Sequence, residues 1–210
     1  MTLTPSAIRD HDRHAPGSDE AETATFGLGC FWGPDAAFGA LDGVVRTRVG
    51  YAGGTKPDPS YHALGDHTEV FQVDYDPEVV SYTGLLDRVF QRHDPHSQTR
   101  ATQYQNVVFA ATPAQRDALD AYLQANGLDP DGVRTRIERL SRFFVAEDYH
   151  QKHSLRSRER LVAAFDEAGY DDDDIRESPA AAVLNGDAAG HGIATDTGLG
   201  LADDRTARSR

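Results

Sequence analysis

The run Ala24-Thr25-Phe26-Gly27-Leu28-Gly29-Cys30-Phe31-Trp32-Gly33-Pro34-Asp35-Ala36-Ala37-Phe38-Gly39-Ala40-Leu41 decides how the chain is read. Ala24–Leu28 is short, apolar and β-compatible, and reads as a buried strand. From Phe31 to Leu41, Trp32, Ala36, Ala37 and Ala40 recur at helical spacing. Pro34 is tolerated because it falls in the first turn, and Gly43 ends the helix. The only cysteine, Cys30, therefore sits where a strand hands over to a helix. Free N–H groups at a helix start favour negative charge, so a lowered thiol pKa is expected there. Flanking glycines let a substrate approach the backbone, and Phe31 and Trp32 offer an aromatic wall. The plain alternative is that Cys30 is a small buried residue and that Phe31 and Trp32 are ordinary core.

Outward from this run, strands are expected at 44–51, 69–75, 107–110 and 133–140, and helices at 82–91, 113–125 and 147–165. The order predicts an α+β fold, a two-layer sandwich with helices packed on a mostly antiparallel, ferredoxin-like sheet. The 210 residues suit one folded domain, expected over 23–168. Residues 1–22 are polar and aperiodic and read as a flexible arm. Residues 169–210 open on Asp171-Asp172-Asp173-Asp174, continue Ala/Gly-rich, and read as a flexible tail.

Hydrophobic residues are 39% and charged residues 26%, ordinary for a globular protein. No apolar run approaches a membrane span, and Met1 to Glu22 lacks a signal-peptide core, so the expectation is a cytoplasmic protein. Lys+Arg is 21 against 34 Asp+Glu, a formal charge of -13, which disfavours nucleic acid and anionic membranes as partners. The only lysines are Lys56 and Lys152. Such an acid-rich, lysine-poor surface suggests adaptation to salt, and predicts a melting temperature that falls at low ionic strength. With one cysteine no intramolecular disulfide can form.

Further segments follow in a fixed order: Val49-Gly50-Tyr51-Ala52-Gly53-Gly54, Pro59-Ser60-Tyr61, His67-Thr68-Glu69-Val70, Tyr75-Asp76-Pro77, His93-Asp94-Pro95, Thr102-Gln103-Tyr104 and Ala146-Glu147-Asp148-Tyr149-His150-Gln151. With Gly29-Cys30-Phe31-Trp32-Gly33, this series resembles the A-type peptide-methionine sulfoxide reductases over roughly residues 23–155. The resemblance implies reduction of methionine S-sulfoxide, free or in proteins, as a repair of oxidative damage. It implies Cys30 as nucleophile and Glu69 as the acid that protonates the departing oxygen. Tyr61 and Tyr104 would donate hydrogen bonds to that oxygen, while Phe31 and Trp32 would surround the substrate methyl group. Cys30 would become a sulfenic acid.

Two departures from the family pattern stand out. No second cysteine can resolve the sulfenic acid, so the reductant, thioredoxin or a low-molecular-weight thiol, would attack Cys30 directly. Between Pro95 and Gln103 the loop is about five residues short of the family pattern and holds no aspartate, and Gln105 replaces the usual arginine. No bound cofactor or metal is expected, although His150 and His153 with His62, His67 or His96 offer a metal-site alternative. His67 and His93 read as braces. A monomer is expected. Two other functions stay open at this point. A thiol peroxidase would consume reductant with hydrogen peroxide rather than with methionine sulfoxide. A non-catalytic sulfoxide-binding relative would give no burst of methionine from Cys30.

Overall fold

A computed structural model describes residues 3–129, 132–194 and 197–200. Strand β1 (Glu22–Gly27) leads into helix α2 (Trp32–Gly39), preceded in the chain by helix α1 (Pro5–His14). Strands β2 (Val44–Ala52) and β3 (Thr68–Tyr75), helix α3 (Tyr82–Phe90), strand β4 (Val107–Ala110) and helix α4 (Pro113–Ala125) follow. Then come strands β5 (Arg136–Arg139) and β6 (Phe143–Val145), and helices α5 (His153–Arg156), α6 (Glu159–Ala168), α7 (Asp172–Glu177) and α8 (Pro179–Ala188).

Helix starts are written into the sequence. Thr4, Thr112 and Ser178 each precede a proline and accept a backbone N–H three residues on, at 3.0–3.2 Å. Proline at the first helical position gives up an N–H that had no intrahelical partner.

The sheet order is β5-β4-β1-β3-β2-β6. The inner pairings and β2–β6 are antiparallel, while β4–β5 is parallel. The α+β class is as expected. Four of the five pairings are antiparallel, as expected, but the six-stranded sheet of the described residues is mixed and curled rather than a ferredoxin-like sandwich. One edge strand lies within the strand expected over 133–140, and the other, at 143–145, was not anticipated. Strand β5 occupies only Arg136–Arg139, and the three-residue β6 pairs Val145 with Gly50 on the opposite edge. Three residues are too few to display a period of two.

One face of the sheet carries Phe26, Val49, Tyr51, Phe71, Val73 and Tyr75 against Phe38 of α2, Leu85 and Val89 of α3, and Leu119 and Leu123 of α4. The other face buries Ala52, Val70, Val107 and Phe109 under Leu140 and Phe143. Alternation along β3 therefore puts Glu69 on the same face as Phe71 and Val73, beneath the helices.

The expectation of a flexible arm and tail is corrected at both ends. Ile8 of α1 is fully buried with Leu161 and Phe165 of α6, Ile175 of α7 and Leu184 of α8, a second core that joins the two termini. Asp12 ties them further, accepting from Tyr170 Oη at 2.9 Å and from the Ala180 N–H at 2.7 Å. The acidic run is a helix start: Asp171 and Asp174 exchange side chain-to-backbone bonds as a capping box. Helix α8 crosses α2 at backbone contact. A Cβ on Gly39 would lie 2.5 Å from the Ala182 carbonyl oxygen, and one on Gly186 would lie 2.6 Å from Ala40 Cβ. The part of the expected tail at 195–196 and 201–210 lies outside the described residues.

The helix expected over 147–165 is three pieces: a 3₁₀ turn at Asp148–His150, then α5, then α6. Lys152 interrupts them with a left-handed φ of 52°. Its fully buried ammonium donates to the Thr47 and Arg176 carbonyls, and lies 4.0 Å from Asp35 Oδ1.

Candidate active site

Gly29 makes the turn from β1 to α2. Its φ is 73°, which favours glycine, and a Cβ there would meet nothing within 4 Å, so backbone conformation alone selects the residue. The turn lifts Cys30 to the surface, where the thiol is exposed. The Trp32 N–H donates to its sulfur and lowers its pKa, but burial of part of the group and the Glu69 charge raise it more. The expectation of a lowered thiol pKa is thus overturned. One backbone donor at a short helix start does not offset desolvation and a neighbouring carboxylate.

Glu69 is 1% exposed. Its Oε2 accepts the Phe31 N–H at 3.1 Å and its Oε1 accepts Gln103 Nε2 at 2.7 Å. Both bonds favour the carboxylate, yet burial outweighs them and pushes its pKa up. The two bonds use two of four lone-pair positions, so a proton still has a place on this carboxyl.

Phe31 lies in the core, its ring centroid 6.1 Å from Tyr51 and 5.2 Å from His150. Trp32 is half-buried; its Nε1–H donates to His150 Nδ1 at 3.2 Å, and its face stacks on His153. Tyr61 is half-buried at 4.7 Å from the His150 ring, and its N–H donates to Glu147 Oε1 at 2.9 Å. The other Glu147 oxygen accepts Tyr51 Oη at 2.7 Å. Tyr104 ends a 3₁₀ turn (Thr102–Tyr104), is 38% exposed and lies near Tyr61. Burial, with the charges of Glu69 and Cys30 nearby, raises its pKa. The six residues singled out in the sequence are thus gathered around one thiol.

Four contributors to this neighbourhood had no part in the catalytic site read from the sequence, His150 entering there only in the metal-site alternative. They are Gln103 on Glu69, Glu147 holding Tyr51 and Tyr61, Tyr51 opposite Glu69 on β2, and His150. Their only sequence signal was membership of the ordered segments. The short loop after Pro95 is braced by Gln98, which donates to the Asn106 carbonyl at 2.9 Å and the Arg134 carbonyl at 3.1 Å. Where the family arginine is missing, Arg136 donates to Gln105 Oε1 at 3.0 Å and Thr68 Oγ1 at 2.8 Å. His67 and His93 are braces: His67 bonds Gly54 and Lys56, and His93 bonds Val89 and Thr135. Among the described residues no group of three His, Cys, Asp or Glu side chains is placed to hold a metal ion. No described helix is long and apolar enough to cross a membrane.

The sequence model of the family "Peptide methionine sulfoxide reductase" matches residues 22–176. A Drosophila melanogaster peptide methionine sulfoxide reductase is 38% identical over 173 residues, 81% of this chain and 69% of the relative. One from Methanothermobacter thermautotrophicus is 42% identical over 144 residues, covering 63% of this chain and 85% of the relative. Methionine sulfoxide reductase A of Corynebacterium diphtheriae superposes with a TM-score of 0.57 at 32% identity, over 67% of this chain and 76% of that one. Reduced Mxr1 of Saccharomyces cerevisiae gives 0.53 at 29% identity, over 64% and 84%. A fold that brings one thiol to a buried carboxyl group, and a family match that runs through both, place the chain in the peptide methionine sulfoxide reductase family, the oxidoreductases that use thiols to return methionine sulfoxide to methionine.

Proposed function

We propose that Cys30 and Glu69 perform the reduction as nucleophile and acid, on the S epimer of methionine sulfoxide. The observation that carries this is the placement of Glu69: buried, tilted towards its protonated form, and fastened to the first turn of the helix that presents Cys30. The Cys30 thiolate attacks the sulfoxide sulfur while the Glu69 proton passes to the oxygen. The S–O bond breaks as oxygen moves to Cys30. The substrate sulfur gains two electrons and leaves as methionine, and Cys30 becomes a sulfenic acid. Tyr61 and Tyr104, neighbours at the site, steady the oxygen as its charge grows. Trp32 walls the methyl group, with Phe31 beneath it.

Glu69 and Cys30 oppose each other's ionisation, so each is favoured in the state the reaction needs only when the other is too: a neutral acid beside a thiolate. Gln103 positions the carboxyl in the shortened loop's wall. The proposed catalytic unit is 23–168, buttressed by the helices at either end.

A first external thiol converts the sulfenic acid to a mixed disulfide and water, and a second restores Cys30. Thioredoxin or a low-molecular-weight thiol fits this need, since Cys30 is exposed and is the chain's single cysteine. Such a cycle suits a monomer in the reducing cytoplasm. Reduction of the separate sulfoxide epimers with dithiothreitol tests the reading. The S epimer should turn over, and Cys30→Ser should abolish it; turnover surviving in that variant ends the proposal.

A further inference from the structure

Trp32 is the only tryptophan in the chain, and two histidines hold it. Along its edge, Nε1–H donates to His150 Nδ1 at 3.2 Å. Across its face, the His153 ring lies with centroids 3.7 Å apart and planes 12° from parallel. These histidines are not on one continuous helix. His150 closes the 3₁₀ turn, His153 opens α5, and the left-handed Lys152 redirects the chain between them. That redirection brings one imidazole to the indole's edge and the other to its face.

His150 is 2% exposed, and its Nε2 has no hydrogen-bond partner. The ring is enclosed by Tyr149 at 4.2 Å, Tyr61 at 4.7 Å and Phe31 at 5.2 Å. A nitrogen that accepts an indole N–H carries no proton, so His150 is neutral with hydrogen on Nε2.

We propose that His150 and His153 form a clamp that fixes the Trp32 indole as a wall of the sulfoxide pocket, and that acid opens the clamp by protonating His150. This rests on the reading of Trp32 as a pocket wall. Protonated Nδ1 would confront the indole N–H donor to donor. The charged groups facing His150 are few. Glu147, from its own turn, favours the imidazolium, while His153 from α5 and His62 from the loop carrying Tyr61 oppose it; α2 contributes only Phe31 and Trp32. Burial dominates and holds His150 below the ordinary histidine range. The clamp is thus closed at neutral pH and opens only on acidification. The wall then loosens and substrate binding weakens, with the thiol and carboxyl left in place.

The test uses the full chain, Trp32 fluorescence, and steady-state reduction of methionine S-sulfoxide with dithiothreitol. His150→Leu should shift the indole emission and raise KM about threefold to tenfold with kcat little changed, as loss of one neutral hydrogen bond to a binding group predicts. His150→Asn, whose Oδ1 can accept where Nδ1 did, should restore both. His153→Leu should alter emission and raise KM, and carries the test alone if His150→Leu does not fold. Acidification should move wild-type emission towards that of His150→Leu, and this step should vanish in His150→Asn. Unchanged emission and KM in the leucine variants, with Trp32→Leu still raising KM, overturn the clamp and leave the pocket reading standing. An unchanged KM in Trp32→Leu overturns the pocket reading, and the clamp with it. An acid step that persists in His150→Asn removes His150 as the trigger.

Discussion

Glu69→Gln deletes an acidic proton while leaving the shape of the side chain nearly unchanged. Glu69 accepts two hydrogen bonds, from the Phe31 N–H and from Gln103 Nε2. A glutamine keeps the first through its oxygen. It keeps the second if Gln103 turns its amide so that its own oxygen accepts, because the amide ends of Gln103 are interchangeable in shape. The fold should therefore survive with a melting temperature close to that of the wild type. The chemistry should not survive. A positioned general acid contributes about 10²–10⁴-fold, or about 3–5 kcal/mol of transition-state stabilisation. The rate of methionine formation in a single turnover should fall by that factor. Meanwhile the Glu69 charge that raises the Cys30 pKa is gone, so the thiolate fraction at neutral pH should rise. Alkylation of Cys30 by iodoacetamide should consequently become faster in the variant that reduces sulfoxide more slowly. The opposed directions make the result decisive. If reduction stays within tenfold of wild type, Glu69 is not the acid. If alkylation slows together with reduction, the substitution has displaced Cys30 and the loss is structural.

Three other outcomes follow from the packing. Gly29→Ala should cost about 1–2 kcal/mol in urea denaturation from its left-handed φ alone, since no neighbour obstructs the added methyl; no loss of stability refutes the conformational argument. Lys152→Met leaves the buried Asp35 without its cation and should destabilise by about 3–5 kcal/mol, with Lys152→Met/Asp35→Asn recovering much of the loss; a double variant no better than the single one contradicts the pairing. The Asp66 carboxyl, held by the Thr55 N–H and hydroxyl and the Lys56 N–H, has its pKa pulled down to about 2. Its contribution is present above the unfolded carboxylate value of about 3.9 and lost as pH falls through about 2, so the Thr55 amide resonance should titrate near 2; a midpoint near 4 removes the argument.

The strands and helices from Glu22 to Ala125 were legible because each shows a period or a punctuating residue: alternation in β3, an apolar stripe in α3, Thr112-Pro113 before α4. The site was legible because its residues fall in ordered segments, and Cys30, Glu69, Tyr61 and Tyr104 do converge. Helix α8 was hidden by its own mode of packing. Ala180, Ala181, Ala182 and Gly186 are buried because they are small, and small residues look like low complexity when only side-chain size is read. Helix α1 was hidden because a single large apolar residue, Ile8, anchors it. The thiol pKa was misjudged because a helix start is visible in sequence, whereas desolvation is a property of the assembled surroundings.

Asp35, one turn into the helix that follows the nucleophile, is bonded at 2.8 Å to Asn185, 150 positions later, and Asn185 in turn caps the N–H groups of Ser154 and Leu155. During synthesis, then, the reactive segment is among the first parts made, while its last buttress arrives long after every strand. A growing chain therefore carries α2 without its Asn185 partner through most of its assembly, until α8 has emerged and docked.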